Sequence, residues 1–547
     1  MANSVEPLAE AGAASAAMAP YRVNRTAAEP KVDLTPLAAP SIQTAQGLLE
    51  AVQQLRSDVL SKADELFNVW QPAIARPGFE SSARNLACYL ALRRHELRSL
   101  QLALTRWGLS SLGRSESRVG STLDAVIATL GAMCDHDPGT LAPYPHEDAV
   151  FEGSRVIERE ADAVFGGTKS GRRTRILVTL PTEASQDLPW MRALIRAGVD
   201  CVRINCAHDT PEVWSDMLRN LRLAERETGS REPVRVLMDL GGPKVRTVRR
   251  KKSEQDVFHV GDKLLLTAAP NLKQVSKRNH EKHPGALPVI GCTLPEVLEC
   301  LSAGENVYID DGQLAARVME RVADGVVLQI VHAPSKGRKI RSDKGLNFPD
   351  TNFRVASLTE KDRSDLSFVA EHADMVGYSF VQTDADVDAL LAELAQRVPS
   401  DRKPPALVLK IETKRAVQNL PDLIVRAAGQ LPTAVMIARG DLAIELGFER
   451  IAEMQEEILW LCEAARVPVI WATQVLEGLA KEGLPTRAEV TDAAMSNRAE
   501  CVMLNKGPHI LDAIRMLDGV LTRMQGHQHK KAPQLRVLHS WQAVFST

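Results

Sequence analysis

The chain has no apolar run of the roughly 18–20 residues that a membrane-spanning helix requires, so no membrane partner is expected. It lacks an excess of either charge: 67 Lys+Arg stand against 69 Asp+Glu, a formal net charge of -2. The basic footprint of a nucleic-acid binder is therefore missing, and no nucleic-acid partner is expected. No C-x-x-C occurs among the eight cysteines, most of which sit in apolar runs, which points to buried thiols in a reducing compartment. The first thirty residues lack a continuous apolar stretch and carry Glu6, Glu10 and Glu29, against a secretory or transit signal. A cytoplasmic protein with a disordered leader over 1–41 is the expectation.

From Ile42 the texture changes. Leu48, Leu49, Val52, Leu55, Val59 and Leu60 recur at three- and four-residue steps, the period of an amphipathic helix. Further helical patterns over 83–109 and 117–133 predict a helical N-terminal domain over 42–134, able to fold as a separate fragment. Pro143, Pro145 and a Gly-rich end suggest a linker over 135–171. From Arg172, β-rich runs alternate with helical segments: 176–180, 201–207, 234–240, 375–380, 407–411, 434–438, 467–472 and 501–504. Such a series predicts a (β/α)8 TIM barrel over 172–246 and 342–525. The spacing breaks after the third strand, where 247–341 reads as an all-β insertion able to cap the barrel mouth. Residues 526–547 form a tail.

Catalytic groups of such a barrel collect at the C-terminal ends of its strands. Here those ends carry Arg203 and Asn205, Asp239, Lys410 and Glu412, Arg439-Gly440-Asp441, Thr473, and Asn505-Lys506. Strands buried on both faces are normally apolar, so charge there is unusual. Residues two apart share a face, which pairs Arg203 with Asn205 and Lys410 with Glu412. Glu412 and Asp441, from adjacent strands, suit Mg²⁺, which takes one or two carboxylates plus waters and substrate oxygens. Lys410 would oppose a developing oxyanion or a transferring phosphoryl group. Arg203 offers a planar fork to phosphate, and the Gly440-Asp441 backbone can offer N–H groups to a carboxylate. The bland reading is a structural ion-pair cluster, which six such residues at strand ends make hard to sustain. His280, His283, His332, His527 and His529 read as solvated surface, and Arg249-Arg250-Lys251-Lys252 as a solvated turn.

These residues carry a resemblance. Val202-Arg203-Ile204-Asn205 with His208, Met238-Asp239-Leu240-Gly241-Gly242-Pro243-Lys244-Val245-Arg246-Thr247, and Lys344-Gly345-Leu346-Asn347-Phe348-Pro349 resemble pyruvate kinase. So do Leu409-Lys410-Ile411-Glu412, Ile437-Ala438-Arg439-Gly440-Asp441-Leu442, and Ala472-Thr473-Gln474-Val475-Leu476-Glu477 with Pro485-Thr486-Arg487-Ala488-Glu489. The resemblance implies transfer of a phosphoryl group from phosphoenolpyruvate to ADP, giving pyruvate and ATP. By it, Glu412 and Asp441 would hold Mg²⁺, Lys410 would stabilise the phosphoryl and enolate, and Arg203 would contact phosphate. Gly440, Asp441 and Thr473 would seat the three-carbon acid. Asn205, His208 and Arg246 would lie on the nucleotide side. A homo-oligomer is expected, and a protein partner for the helical domain.

Four departures follow from the same comparison. The entry strand runs into Thr179-Leu180-Pro181-Thr182-Glu183-Ala184-Ser185, and strand eight into Asn505-Lys506-Gly507-Pro508, both unlike the family pattern. Only a short tail follows the barrel, so no activation by a sugar bisphosphate through the usual family site is expected. In the monovalent-cation region of Asn205 and Asp239, Ala207 and Leu240 offer no side-chain oxygen, and Lys244 stands where K⁺-dependent relatives have Glu. An ammonium can supply the same charge, so K⁺ is expected to be dispensable. Two other readings remain: a weak or inactive, metabolite-sensing relative whose helical domain binds a partner, and a Mg²⁺-dependent pyruvate-enolate lyase, which the insertion disfavours.

Overall fold

The computed structural model describes residues 40–168, 171–230, 232–250, 256–282, 287–351, 353 and 355–534. The expected leader lies outside them. The strand ladder closes into a parallel barrel of β1 (Arg175–Thr179), β2 (Cys201–Asn205), β3 (Arg235–Asp239), β4 (Met375–Tyr378), β5 (Ala406–Ile411), β6 (Thr433–Ala438), β7 (Val469–Ala472) and β8 (Cys501–Leu504). Each strand pairs with its chain neighbours, and β8 closes onto β1. Helices trail the strands, covering outward side chains such as Val202, Val236 and Leu409. The fold is a TIM barrel, as its alternating β and α runs predict.

Between β3 and β4 the chain leaves the barrel to form a seven-stranded, mostly antiparallel sheet with its own apolar core. This insertion is not all-β. It holds the helices Leu272–Lys282 and Glu296–Cys300. Leu272 and Val275 are the buried anchors of the first, in a polar stretch with little apolar periodicity to announce it. Arg249 is buried, donating to the Val289 carbonyl at 3.2 Å and pairing with Asp256 at 2.8 Å, which corrects its reading as a solvated side chain. Arg250 is exposed; Lys251 and Lys252 lie outside the described residues.

Among the described residues five α-helices precede the barrel: α1 (Ala45–Trp70), α2 (Glu80–Leu92), α3 (Arg98–Arg106), α4 (Val119–Met133) and α5 (Glu147–Phe165). The last runs through the expected linker. His146 caps its N-terminus by accepting from the Asp148 N–H, and Gly166 follows its last turn at φ +78°. Pro145 and Gly166 therefore bound a helix, the usual Pro-before, Gly-after asymmetry. Ala161, Val164 and Phe165 of α5 pack against Leu177, Cys201, Leu237 and Met375, sealing the barrel interior at the N-terminal ends of its strands.

One apolar cluster runs from α1, α2 and α4 into the helices around the barrel. Polar contacts cross the same boundary: Trp70 Nε1 donates to Asp422 at 2.7 Å, and Asn85 Nδ2 to the Ala464 carbonyl at 2.8 Å. This shared core argues against the expectation of a separately folding fragment. The tail forms a hairpin, Gln528–His529 with Ala532–Pro533. His529 is partly buried there, and burial, with the charges of Arg173 and Lys530, lowers its pKa to about 4. His332 and His527 are also partly buried rather than solvated; His283 and the His280 side chain lie outside the described residues.

Candidate active site

Every strand of the barrel is buried along most of its length, so a charged side chain at a strand end must find partners. At the mouth those partners are each other. Asp239, 1% exposed, accepts from Arg203 Nε at 2.8 Å and Nη2 at 2.6 Å, and its Oδ2 lies 3.3 Å from Lys410 Nζ. Lys410 also lies 3.1 Å from Glu412 Oε1 and donates to Ser379 Oγ at 2.6 Å. Ser379 in turn donates to the Leu240 carbonyl at 2.7 Å. Gly377 lies opposite Asp239 in the ladder, and a Cβ there would meet Asp239 Oδ1 at 2.5 Å. Any larger residue would push the carboxylate away from its cations.

Burial works against all three charges, yet the cluster sets their protonation. It would lower the pKa of Lys410, but Asp239 and Glu412 raise it above the ordinary lysine value. Burial would likewise raise Asp239, but Lys410 and Arg203 hold it below the usual carboxylate range. Glu412 is the exception. Burial raises it, Asp441 adds to that, and Lys410 with the Phe380 N–H only partly compensates.

The loops after β6 and β7 meet over this cluster. Thr473 sits at φ +65°, a strained conformation for a β-branched residue. Its Oγ1 accepts from the Gly440 N–H at 3.0 Å. Arg439 holds the two loops together: Nε donates to the Ala472 carbonyl at 2.9 Å, and the guanidinium also bonds the Thr473 carbonyl and Asp492. Asp441 projects from the helix Arg439–Leu446 and accepts from Lys244 Nζ at 2.8 and 3.1 Å.

These positions match known proteins. The pyruvate kinase barrel-domain family matches residues 171–508. The chain belongs to the pyruvate kinase family. It is 31% identical to a pyruvate kinase of Agrobacterium vitis over 371 residues, 66% of this chain and 70% of that protein. Pyruvate kinase 2 of Trypanosoma brucei brucei is 29% identical over 374 residues, covering 67% and 70%. A pyruvate kinase of Methylorubrum extorquens reaches 34% over 341 residues, covering 62% and 64%. This family member carries helices α1–α5 ahead of the matched barrel.

In this pyruvate kinase relative, Arg203, Asp239, Lys410 and Glu412 form one contact network, with Gly440, Asp441 and Thr473 beside it. Asn205 and His208 line an adjoining cavity of about 280 Å³ together with Arg203, Lys481, Asn505 and Lys506. The two departing loops thus form part of that wall, and Thr182 Oγ1 ties the first to Asp209 at 2.9 Å. Arg246 lies elsewhere: its N–H donates to Thr293 and its guanidinium to the Asp343 carbonyl at 3.0 Å, within the root of the insertion. Lys244 bonds Asp441 rather than Asn205 or Asp239.

Among the described residues no group of three His, Cys, Asp or Glu is placed to hold a metal. Two carboxylates nevertheless fit Mg²⁺, which completes its shell with waters and substrate oxygens. Glu412 and Asp441 lie close enough to repel one another, and each also has a lysine partner, Lys410 and Lys244. Ser379, Phe380 and Asp492 escaped the strand-end reading, and Arg439, which it named, was given no positioning role. Phe380, at φ +57°, aims its N–H at Glu412 Oε2, 2.6 Å away. The position of Tyr378-Ser379-Phe380 at the end of β4 was the available signal for two of them.

Proposed function

We propose that the protein transfers the phosphoryl group of phosphoenolpyruvate to ADP, forming pyruvate and ATP. The observation that carries this reading is the Arg203–Asp239–Lys410–Glu412 network at the mouth of a pyruvate kinase barrel. Phosphoryl transfer asks mainly for positioning and charge neutralisation, and this network supplies both. Asp239, held ionised, keeps Arg203 and Lys410 side by side, so two cations converge without mutual displacement. Arg203 takes a phosphate oxygen. Lys410 faces the bridging oxygen, where negative charge accumulates as the enolate forms.

Mg²⁺ held by Glu412 and Asp441 would neutralise the remaining phosphoryl and carboxylate charge. Lys244 now occupies both Asp441 oxygens and would share them. The Gly440 N–H already bonds Thr473 Oγ1, so the threonine's own hydrogen is free to point into the site. It is placed to order the proton donor for the enolate carbon. Asn205, His208 and Lys506 form the nucleotide side. The grouping of Arg203, Asp239, Lys410 and Glu412 supports an active enzyme over an inactive sensor.

A coupled assay of the purified chain should show pyruvate formation that requires both ADP and Mg²⁺. Absence of turnover across a wide Mg²⁺ range would refute the proposal. The rate should also agree within about twofold in K⁺ and in a bulky quaternary ammonium salt of equal ionic strength, because Ala207 and Leu240 offer a monovalent cation no side-chain oxygen. A severalfold dependence on K⁺ would refute that assignment.

A further inference from the structure

The insertion leaves and rejoins the barrel through two short segments paired to each other. The Thr247 N–H donates to the Lys344 carbonyl and the Leu346 N–H to the Val245 carbonyl, both at 2.8 Å. Arg246 pairs antiparallel with Gly345 between them. Displacing one segment of this root therefore displaces the other.

Both segments are bonded to one barrel element, the helix Arg439–Leu446. From the outgoing segment, Lys244 Nζ donates to the two Asp441 oxygens at 2.8 and 3.1 Å. From the returning one, Asn347 Nδ2 donates to Glu445 Oε1 at 3.3 Å. Asp441 and Glu445 stand four residues apart, so they share one face of the helix. Gly345 makes room for the first bond, because a Cβ there would lie 3.0 Å from Lys244 Cε. That bond joins two full charges and is the stronger tether.

The other cations of the root are engaged elsewhere. Arg246 pairs with Asp343 at 3.3 Å, and Lys344 with Asp310 at 2.8 Å. Among the described residues Lys244 is thus the one cation paired with Asp441. Within the ion pairs of the mouth, Arg203, Lys410 and Lys244 balance Asp239, Glu412 and Asp441. A divalent ion added to this balanced set meets the Lys244 ammonium on a shared carboxylate, and like charges so close repel.

We propose that Lys244 and the metal oppose one another on Asp441, so that metal loading loosens the root of the insertion from the barrel. This rests on the assignment of Mg²⁺ to Glu412 and Asp441. Such coupling is reciprocal: if the bridge weakens metal binding, the metal weakens the bridge by the same factor. Lys244 is then a positioning residue that links metal loading to the cap.

Mn²⁺ titrated into the substrate-free full chain, followed by its EPR signal, reads the metal side of this coupling. Lys244→Gln should bind Mn²⁺ at least about fivefold more tightly than the parent, the low end of usual coupling between sites. Asp441→Asn should lose that binding, which identifies the site being read. Hydrogen exchange of the root amides, at 244–248 and 342–347, reads the other side in the parent chain and decides the matter if Lys244→Gln fails to fold. Saturating Mn²⁺ should speed exchange there. Unchanged Mn²⁺ affinity in folded Lys244→Gln, with binding lost in Asp441→Asn, would overturn the proposal and leave the metal assignment standing. So would root exchange that Mn²⁺ does not quicken. Mn²⁺ binding left intact by Asp441→Asn would refute the metal assignment itself, and the proposal with it.

Discussion

The two ends of the barrel are built from the same eight strands and obey opposite rules. At the mouth, Arg203, Asp239, Lys410 and Glu412 are packed together at a desolvation cost that only their mutual pairing offsets. At the base, Phe165 and Val164 of α5 close the interior with apolar side chains against Leu177, Cys201 and Met503. Buried charge is weak evidence for stability, whereas buried apolar area is its main source. The proposed chemistry therefore belongs to the mouth, and the base holds the strands. This division recurs in barrels of this class, and substitutions at the two ends should separate cleanly.

The largest effect is expected at the mouth. Lys410→Ala should lower turnover by at least about 100-fold, the loss typical when a group placed at developing charge is removed. Its thermal midpoint should fall as well, because Asp239 and Glu412 lose a buried partner, so turnover is compared per folded molecule. Near-parental turnover of the folded fraction would make Lys410 a structural residue only. Phe165→Ala should instead cost about 3–5 kcal/mol of stability while leaving turnover per folded molecule unchanged. Denaturant unfolding together with active-site-normalised kinetics distinguishes these outcomes; a kinetic defect in folded Phe165→Ala would break the contrast.

Lys506→Ala sharpens the comparison within the mouth itself. Lys506 lines the cavity of Asn205, His208 and Arg203, on the side away from Lys410 and Glu412, which do not line it. A severalfold rise in KM for ADP, with KM for phosphoenolpyruvate unchanged, is expected from steady-state rates. Equal rises in both would place the lysine on the shared phosphate instead.

The smallest effect belongs to the seam between the N-terminal helices and the barrel. Burial, with Glu116 and Glu500 nearby, raises Glu463 to about 7 despite Lys530 and Lys531. A carboxyl raised in the folded state favours folding while protonated, and that contribution is lost as pH rises from the ordinary carboxylate range through 7. Glu463→Gln should therefore raise the melting temperature at pH 8 and make little difference near pH 5. A gain independent of pH would mean that Glu463 is already neutral, or ionised throughout.

Much of the barrel was legible because parallel strands buried on both faces read as short apolar runs, and charged residues stand out against them. Lys410, Glu412 and Arg203 could be found that way, and the structure brings them into contact. The fate of Arg246 and Lys244 was not legible. Both lie in the segment leading into the insertion, and their partners Asp343 and Asp441 come from distant parts of the chain. α5 was misread because Pro145 and Gly166, taken as linker residues, are the boundaries of a helix. Its apolar residues at positions 156, 157, 161, 164 and 165 have helical spacing, but nothing local says that they face the end of a barrel.

The most direct test follows phosphorus by NMR as the purified chain is mixed with phosphoenolpyruvate, ADP and Mg²⁺. Loss of the phosphoenolpyruvate resonance should be matched one for one by the γ-phosphate of ATP, and folded Lys410→Ala should leave the spectrum nearly static over the same time. Inorganic phosphate in place of ATP, an unchanged spectrum with the parent chain, or equal turnover by Lys410→Ala would contradict phosphoryl transfer at this mouth.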